Sequence, residues 1–232
     1  MATKKSASTK AEIVRVGLRM FLDKGFSGTS VKMISDELGI STGNLTFHFP
    51  SKWHLLSLMA SILCDFRSKE IKNAVQKGDS PLAARCKELV SMVAICEENE
   101  IARDFYLQLY THPMTLTILR KNGATRDRLV FAPYCKSWND THFAEAEALT
   151  TGIEFGTLMV TEDSADISVR IAGALSCIMN VYDVPADIRR AHIQKAAKND
   201  YRSAARQSFL QFCAYVQGMD DKAIEKYLQS IV

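Results

Sequence analysis

The sequence predicts an all-α protein with a small N-terminal head of three helices and a larger helical body. Apolar residues recur at three- and four-residue spacing along most of the 232-residue chain, which gives a helix one apolar side. Only 11 glycines and 5 prolines interrupt the pattern, and no run of useful length alternates apolar and polar residues as a half-buried strand would. Hydrophobic residues make up 47% of the chain, enough for a sizeable core.

Residues 29–52 (TSVKMISDELGISTGNLTFHFPSK) have the pattern of two short helices joined by a tight turn. Apolar residues three and four apart give the first helix one buried side, and Thr29 or Ser30 can cap its first amide groups. Gly39 follows the helix at the point where a left-handed residue commonly ends one. The segment therefore predicts a helix-turn-helix.

The second helix of this motif is bounded by Ser41, which can cap it, and Pro50, which ends it. Leu45 and Phe49, four residues apart, anchor it on the first helix. Ser51 is then placed to cap the next helix.

The outward side of the second helix is small, polar or aromatic and carries no acidic residue. Gly43 costs about 1 kcal/mol relative to alanine inside a helix, yet it allows a phosphate backbone to approach closely. Lys52 opposes the dipole at the start of the next helix unless a phosphate lies nearby. The predicted DNA-contacting residues are Thr29, Ser30, Lys32, Ser41, Thr42, Gly43, Asn44, Thr46, Phe47, His48 and Lys52.

Different roles are predicted within this set. Asn44 is chemically suited to read an adenine edge, and Phe47 to touch a thymine methyl group. The phosphate contacts, which position without specifying, are predicted for Thr29, Ser30, His48 and Lys52.

Residues 10–56 resemble the N-terminal domain of the TetR family of bacterial transcriptional repressors. The first helix ends in LRMFLDKGFSGTSV, the second and third read ISDELGISTGNLTFHF, and the fourth opens as PSKWHLL. The chain departs from the family at Thr46, usually a tyrosine that touches a phosphate, and at Asn44, usually a threonine. The resemblance implies a homodimer that represses from a palindromic DNA operator until a small-molecule effector binds its body.

The expected organisation is a DNA-binding domain over residues 1–52, with about eight flexible residues at its start, and a ligand-binding and dimerisation domain over residues 53–232. A long fourth helix, about 52–76, joins the two. Residues 1–52 hold eight Lys and Arg against four Asp and Glu, whereas the remainder holds 21 against 22. The positive charge thus lies with the motif, as attraction to phosphate requires.

In the body, breaks at Gly, Pro and polar residues divide the chain into further helices. Their predicted ranges are 81–97, 100–111, 113–121, 124–138, 140–161, 165–182, 186–199, 201–217 and 220–231.

Five body residues are candidates for contact with an effector, namely Tyr106, Tyr110, Tyr134, Trp138 and Glu154. Aromatic stripes on helices usually form core, but a buried hydroxyl or indole N–H needs a partner. Glu154 lies on an otherwise apolar helix, so it meets a cationic ligand, an internal arginine or solvent.

Two sets of residues are available for pairing with a second copy. Gly152 and Gly156 allow close approach of another helix, within the subunit or across a dimer. The apolar positions are Ile171, Leu175, Ile178, Phe209, Phe212 and Val216. A two-fold dimer would place its recognition helices about 34 Å apart, one turn of DNA.

Other functional classes find little support in the sequence. There is no signal peptide and no apolar run of about 18 residues, so a cytoplasmic protein without a membrane partner is expected. The six cysteines form no CxxC pair and are interpreted as buried thiols. The five histidines fit no metal or catalytic motif, so no enzyme activity, metal or cofactor is predicted.

Two alternatives remain open at this point. One is a DNA-bound architectural or cell-division regulator of the same fold that needs no effector. The other is a helical enzyme whose N-terminal hairpin only imitates the motif.

Overall fold

The computed structural model describes residues 4–198 and 200–230, which form twelve α-helices and no strand. The predicted all-α class is confirmed. The head comprises α1 (Lys4–Lys24), α2 (Val31–Glu37) and α3 (Thr42–His48), and α4 (Lys52–Gln76) leads into the body. The body helices are α5 (Pro81–Glu98), α6 (Glu100–Thr111), α7 (Pro113–Phe131), α8 (Asp140–Leu158), α9 (Ile167–Val181), α10 (Ala186–Lys198), α11 (Tyr201–Gln217) and α12 (Asp221–Ser230).

The N-terminal segment predicted to be flexible belongs to α1 from residue 4 onward. Residues 1–3 lie outside the described residues, as do residues 199 and 231, which were included in two of the predicted body helices.

The head is built around side chains that contact one another between its helices. Phe21 of α1, Ile34 of α2 and Leu45 of α3 are fully buried, together with Leu55 of α4. Each is the apolar member of its helix pattern, so their burial fixes the angle between the two short helices. The start of α4 shares this core, which makes α4 an extension of the head.

The local signals that define α2 and α3 act largely as predicted. The hydroxyl of Ser30 accepts from the amide of Met33 at 3.1 Å, and Ser41 does the same for Asn44 at 3.1 Å. Gly39 has φ +63°, the left-handed region that favours glycine. Ser51 differs from the prediction: it stands at the N-cap of α4, but its hydroxyl lies 3.0 Å from a ring nitrogen of His54 and caps no amide.

The prediction of separate helices over 113–121 and 124–138 is wrong. Helix α7 continues through Gly123, and residues 132–134 form a turn. The glycine is explained by packing, because a Cβ at this position would lie 1.8 Å from a carboxylate oxygen of Glu147. Gly123 therefore makes room for a buried acid on α8 instead of ending a helix.

A network of buried charges occupies the centre of the body. Three arginines from three helices, Arg67, Arg85 and Arg126, face carboxylates whose side chains are at most 12% exposed. Arg67 and Arg126 both lie 3.2 Å from one oxygen of Glu88. Arg126 also donates to Asp127 at 3.1 Å, so the network joins α4, α5 and α7.

Arg85 is the arginine that ties this network to α8. It donates to Asp127 at 3.0 Å and to Glu154 at 2.6 Å. Tyr110 donates its hydroxyl to the other oxygen of Glu154 at 2.7 Å. Of the three environments considered for Glu154, the structure contains the internal arginine.

Two carboxyl groups of this region have pKa values shifted in opposite directions. Burial opposes the ionised form of Asp127, but Arg85 and Arg126 outweigh it and lower the pKa of this carboxyl to about 2. Burial and the charge of Asp127 instead raise the pKa of Glu147 well above its usual range. The three arginines thus face three carboxylates, those of Glu88, Asp127 and Glu154.

Removing one arginine of the network should destabilise the folded protein. We expect Arg85→Met to lower the free energy of unfolding by about 3–5 kcal/mol, because Asp127 and Glu154 would stay buried without their main partner. Arg128→Met is the control: Arg128 lies on the same helix as Arg126 but is half exposed, pairs with Asp140 at the surface and lies over the ring of Phe143. Its loss should cost about 1 kcal/mol or less. Urea unfolding, followed by circular dichroism at neutral pH, measures the free energy of unfolding of both variants. Equal losses of stability would contradict the assignment of Arg85 to a buried charge network.

Candidate nucleic-acid interface and body cavity

The outward side of α3 presents a compact set of uncovered side chains. Thr42, Gly43 and Asn44 are exposed in its first turn, and Ser41 is exposed just before it. Phe47, one turn further on, is 82% exposed. A large apolar ring held in water at the centre of a polar face indicates a surface that meets another molecule.

Two details of α3 bear on how closely a partner can approach. A Cβ on Gly43 would meet only the hydroxyl of Ser41, at 3.9 Å, so packing within the chain does not require glycine there. The hydroxyl of Thr46 lies 3.0 Å from the carbonyl of Thr42 and 3.2 Å from that of Gly43. Thr46 therefore directs its donor to its own helix.

Three further predicted residues border this surface. Ser30 and Lys32 are exposed at the start of α2. His48 is partly buried, with its ring 5.2 Å from that of Phe47. Burial, followed by the positive charge of Lys10, lowers the pKa of His48, which indicates that α1 brings a cation close to the end of α3.

Two predicted phosphate contacts must be revised. Thr29 is 1% exposed, and its hydroxyl lies 2.8 Å from the carbonyl of Gly25 and 3.2 Å from that of Met20. Its side chain holds the loop between α1 and α2 and cannot reach a phosphate. The ammonium of Lys52 donates to the carbonyls of Phe26 and Thr29 at 2.8 and 2.9 Å. The opposed helix dipole at Lys52 is thus compensated by carbonyl groups within the chain.

The same loop connects the head with the body. Asp104 of α6 accepts from the amide of Ser27 at 2.8 Å and from its hydroxyl at 2.5 Å. Trp53, at the start of α4, stacks on His112 with ring centroids 3.9 Å apart and also contacts Phe26 at 4.4 Å. Asp104 and His112 lie more than 50 residues from these partners, so no local sequence pattern could have identified the contact.

The body contains a cavity of about 510 Å³ between α4, α5, α10 and α11. This volume lies within the range of about 300–1,000 Å³ of small-molecule sites. The wall is mainly apolar and includes Phe66, Val90, Phe209 and Phe212. The cavity is open on one side, where Lys195 is among its exposed lining residues.

Only one of the five predicted effector-contacting residues, Tyr106, lines this cavity. Tyr110 and Glu154 belong to the buried charge network. Tyr134 and Trp138 lie in the turns after α7 and pack on the core, where Trp138 contacts Phe143 and Tyr182 at ring distances of 5.4 and 5.9 Å. Of the polar groups that singled out these aromatic residues, the hydroxyl of Tyr110 bonds to a carboxylate within the chain, that of Glu154.

The residues predicted for pairing with a second copy divide into two groups. Five of the six apolar positions are buried within the chain, namely Ile171, Leu175, Ile178, Phe212 and Val216, and Phe209 lines the cavity. Gly152 and Gly156, by contrast, lie on the uncovered side of α8, with no atom of another element within 4 Å of an added Cβ.

Among the described residues, no group of three or more His, Cys, Asp and Glu side chains could hold a metal ion. Within that same part of the chain, no helix is both long enough and apolar enough to cross a membrane. Four cysteines are buried as predicted, whereas Cys177 is exposed and Cys213 is partly buried.

Comparison with known proteins places the head in a family. Residues 13–59 match the family described as bacterial regulatory proteins, tetR family. The uncharacterized HTH-type transcriptional regulator YuxN of Bacillus subtilis (strain 168) is 40% identical over 77 residues, which are 33% of this chain and 26% of YuxN. The uncharacterized HTH-type transcriptional regulator YerO of the same strain is 26% identical over 172 residues, 74% of this chain and 55% of YerO.

A solved structure described as a gamma-butyrolactone receptor (ArpA-like protein) aligns with 88% of this chain and 98% of its own, at 18% identity and a TM-score of 0.46. The chain spans 26% and 55% of the two curated relatives' own lengths. The family match covers the helix-turn-helix whose caps, turn and core are described above. Residues 13–59, the head and the start of α4, therefore match the N-terminal domain of the tetR family of bacterial regulatory proteins.

Proposed function

We propose that the chain is a cytoplasmic transcriptional repressor that binds DNA through α3 as a homodimer. The observation that carries this proposal is the exposed side of α3, where Phe47 is 82% exposed and Gly43 leaves its backbone open. An α-helix fits the major groove of B-DNA, and an uncovered glycine lets the backbone approach a phosphate closely. No acidic residue on α3 opposes this approach.

The roles of the α3 residues follow from their chemistry. Asn44 offers the amide that pairs with the N6 and N7 edge of adenine, and Phe47 offers an apolar ring to a thymine methyl group. Ser30, Lys32, Ser41, Thr42 and His48 surround them and are proposed to contact phosphates and position the head. Lys52 is proposed to support this surface by holding the α1–α2 loop, with a remaining N–H for a phosphate.

Substitution of Asn44 tests the docking. Asn44→Ala should weaken binding to an operator fragment selected from the source genome by about 1–3 kcal/mol, and relax preference at one base pair. The matched control is Asn73→Ala, which removes an exposed amide from α4 and should leave affinity unchanged. Fluorescence anisotropy at fixed salt measures both. Equal affinity of the two variants would contradict the assigned docking.

The dimer is proposed to form through the uncovered sides of α8 and α9. Leu149 and Val169 are 53% and 59% exposed there, beside Gly152, Gly156 and Gly173, around which an added Cβ would meet nothing. Exposed apolar and small residues together favour a helix-to-helix interface. The two-fold axis would then bring two α3 helices to successive major grooves.

Introduction of a charge tests this interface. Gly152→Glu should convert the dimer to a monomer, because two carboxylates would be buried near the axis without partners. Ala214→Glu places the same charge on the exposed side of α11 and should remain dimeric. Sedimentation velocity gives the result, and a dimeric Gly152→Glu variant would exclude this surface.

The cavity is proposed to hold a small-molecule effector that releases the DNA. Tyr106 lines the cavity, and Asp104, on the same helix, binds Ser27 of the head. Phe66 of α4 also lines the cavity, and the same helix starts at the head with Lys52. A ligand that binds one arrangement of α4 and α6 more tightly would shift the spacing of the two heads.

Loss of the Asp104 contact tests the connection between head and body. Asp104→Ala should speed amide hydrogen exchange over residues 25–29 and lower operator affinity, because Ser27 loses both its acceptors. Asp163→Ala, in the exposed loop after α8, should change neither. Hydrogen exchange measured by mass spectrometry and operator binding measured by fluorescence anisotropy provide the test. Faster exchange with unchanged operator affinity would contradict a role of this contact in placing the head.

The presence of the cavity supports an effector-responsive regulator over an architectural protein of the same fold. We also propose that the chain has no catalytic activity and binds no cofactor. Failure to retard any DNA at low salt would overturn it in favour of a helical enzyme.

A further inference from the structure

The chemistry of the cavity wall limits the kind of molecule that it can take. Its inner part is formed by buried apolar or small side chains, such as Leu63 and Phe212 together with Ala83 and Ala205. Such a wall favours an apolar molecule, because each polar group buried without a partner costs free energy. Among the described residues of this wall, Arg67 is the buried cationic side chain, whereas Lys87 and Lys195 are exposed.

Arg67 lines the cavity, and part of its guanidinium has only a weak acceptor within the chain. Its Nε lies 3.2 Å from Glu88, but an Nη atom faces the thioether sulfur of Met92 at 3.1 Å. The guanidinium also lies over the ring of Tyr106, 5.4 Å from its centroid. A guanidinium has five N–H donors, and a thioether is a weak acceptor. A ligand oxygen would therefore be a better acceptor for this Nη atom than the thioether sulfur of Met92.

The charge balance of the network constrains the ligand further. Arg67 belongs to a set of three arginines that already face three carboxylates, those of Glu88, Asp127 and Glu154. A ligand carboxylate would add a fourth negative charge to a buried site, and an ammonium would lie beside Arg67. Beside the buried Arg67, either charge would lie among groups that already have their charged partners. A neutral acceptor uses the N–H donors of Arg67 and leaves the balance unchanged.

We propose that the cavity binds a neutral, mainly apolar molecule whose carbonyl oxygen accepts hydrogen bonds from Arg67. This inference rests on the proposed role of the cavity as an effector site and names the chemical class of the effector. The apolar part of the molecule lies against Phe66, Phe209 and Phe212.

Three probes of equal chain length test this class directly, namely 2-undecanone, undecanoic acid and undecylamine. Isothermal titration calorimetry of the full chain at neutral pH should show that the ketone binds at least about tenfold more tightly than either charged probe, a factor that corresponds to about 1.4 kcal/mol. Equal or tighter binding of the acid or the amine would overturn the proposal, as would no binding of any of the three.

Two variants assign the binding to this cavity and to Arg67. Ser208→Trp fills the cavity from α11 and should abolish ketone binding, whereas Ala214→Trp, on the same helix but outside the cavity, should bind normally.

Arg67→Lys tests the hydrogen bond, because lysine keeps a positive charge beside Glu88 but lacks the planar guanidinium. It should reduce ketone affinity by about tenfold, the effect of losing one hydrogen bond to a charged group. Unchanged ketone affinity in Ser208→Trp, or in an Arg67→Lys variant that melts like the parent, would overturn the proposal.

Operator binding measured without any probe separates this inference from the proposed function. A chain that binds its operator but does not prefer the ketone overturns the ligand class alone. A chain that prefers the ketone but binds no DNA supports the ligand class and overturns the proposed repressor.

Discussion

The buried pairing of Arg67, Arg85 and Arg126 with three carboxylates is the interaction on which the body depends. Each of these charges costs several kcal/mol to remove from water, and only close partners offset that cost. The partners lie on different helices, so α4, α5, α7 and α8 must all take their observed positions before the charges are satisfied. Apolar packing alone would tolerate small shifts of these helices, whereas hydrogen bonds of about 3 Å to charged groups do not.

The same network links the cavity to the DNA-binding head. Arg67 and Glu88 line the cavity and also belong to the network. Arg67 lies on α4, whose first residues hold the α1–α2 loop through Lys52 and Trp53. An effector at Arg67 would thus act on the same helix whose first residues contact the α1–α2 loop of the head.

How much could be predicted depended on the distance along the chain between interacting residues. The helix-turn-helix was predictable because its caps, its left-handed glycine and its apolar spacing are all local, and α3 lies where the sequence put it. The acceptor role of Glu154 could not be resolved, because its partner Arg85 is 69 residues away. Gly123 was misread for the same reason: the acid that it accommodates lies on another helix.

The candidate site shows the same division. Exposure of Asn44 and Phe47 follows from the pattern of one helix, so the uncovered side of α3 was predictable. Burial of Thr29 follows from the way the α1–α2 loop folds back, which depends on tertiary contacts. The cavity lies between helices from opposite ends of the body, and its lining therefore has no signature in any single segment.

The three-to-three balance of buried charges also has a consequence for how this protein can diverge. A single change at Arg67 or Glu88 leaves an opposite charge stranded, so these positions are expected to change together, through paired substitutions. The apolar wall beside them carries no such restriction, and its residues can be exchanged one at a time. A lineage with this body could therefore change the shape of the cavity by altering the wall, while the charged centre that holds the helices in place is inherited as a unit.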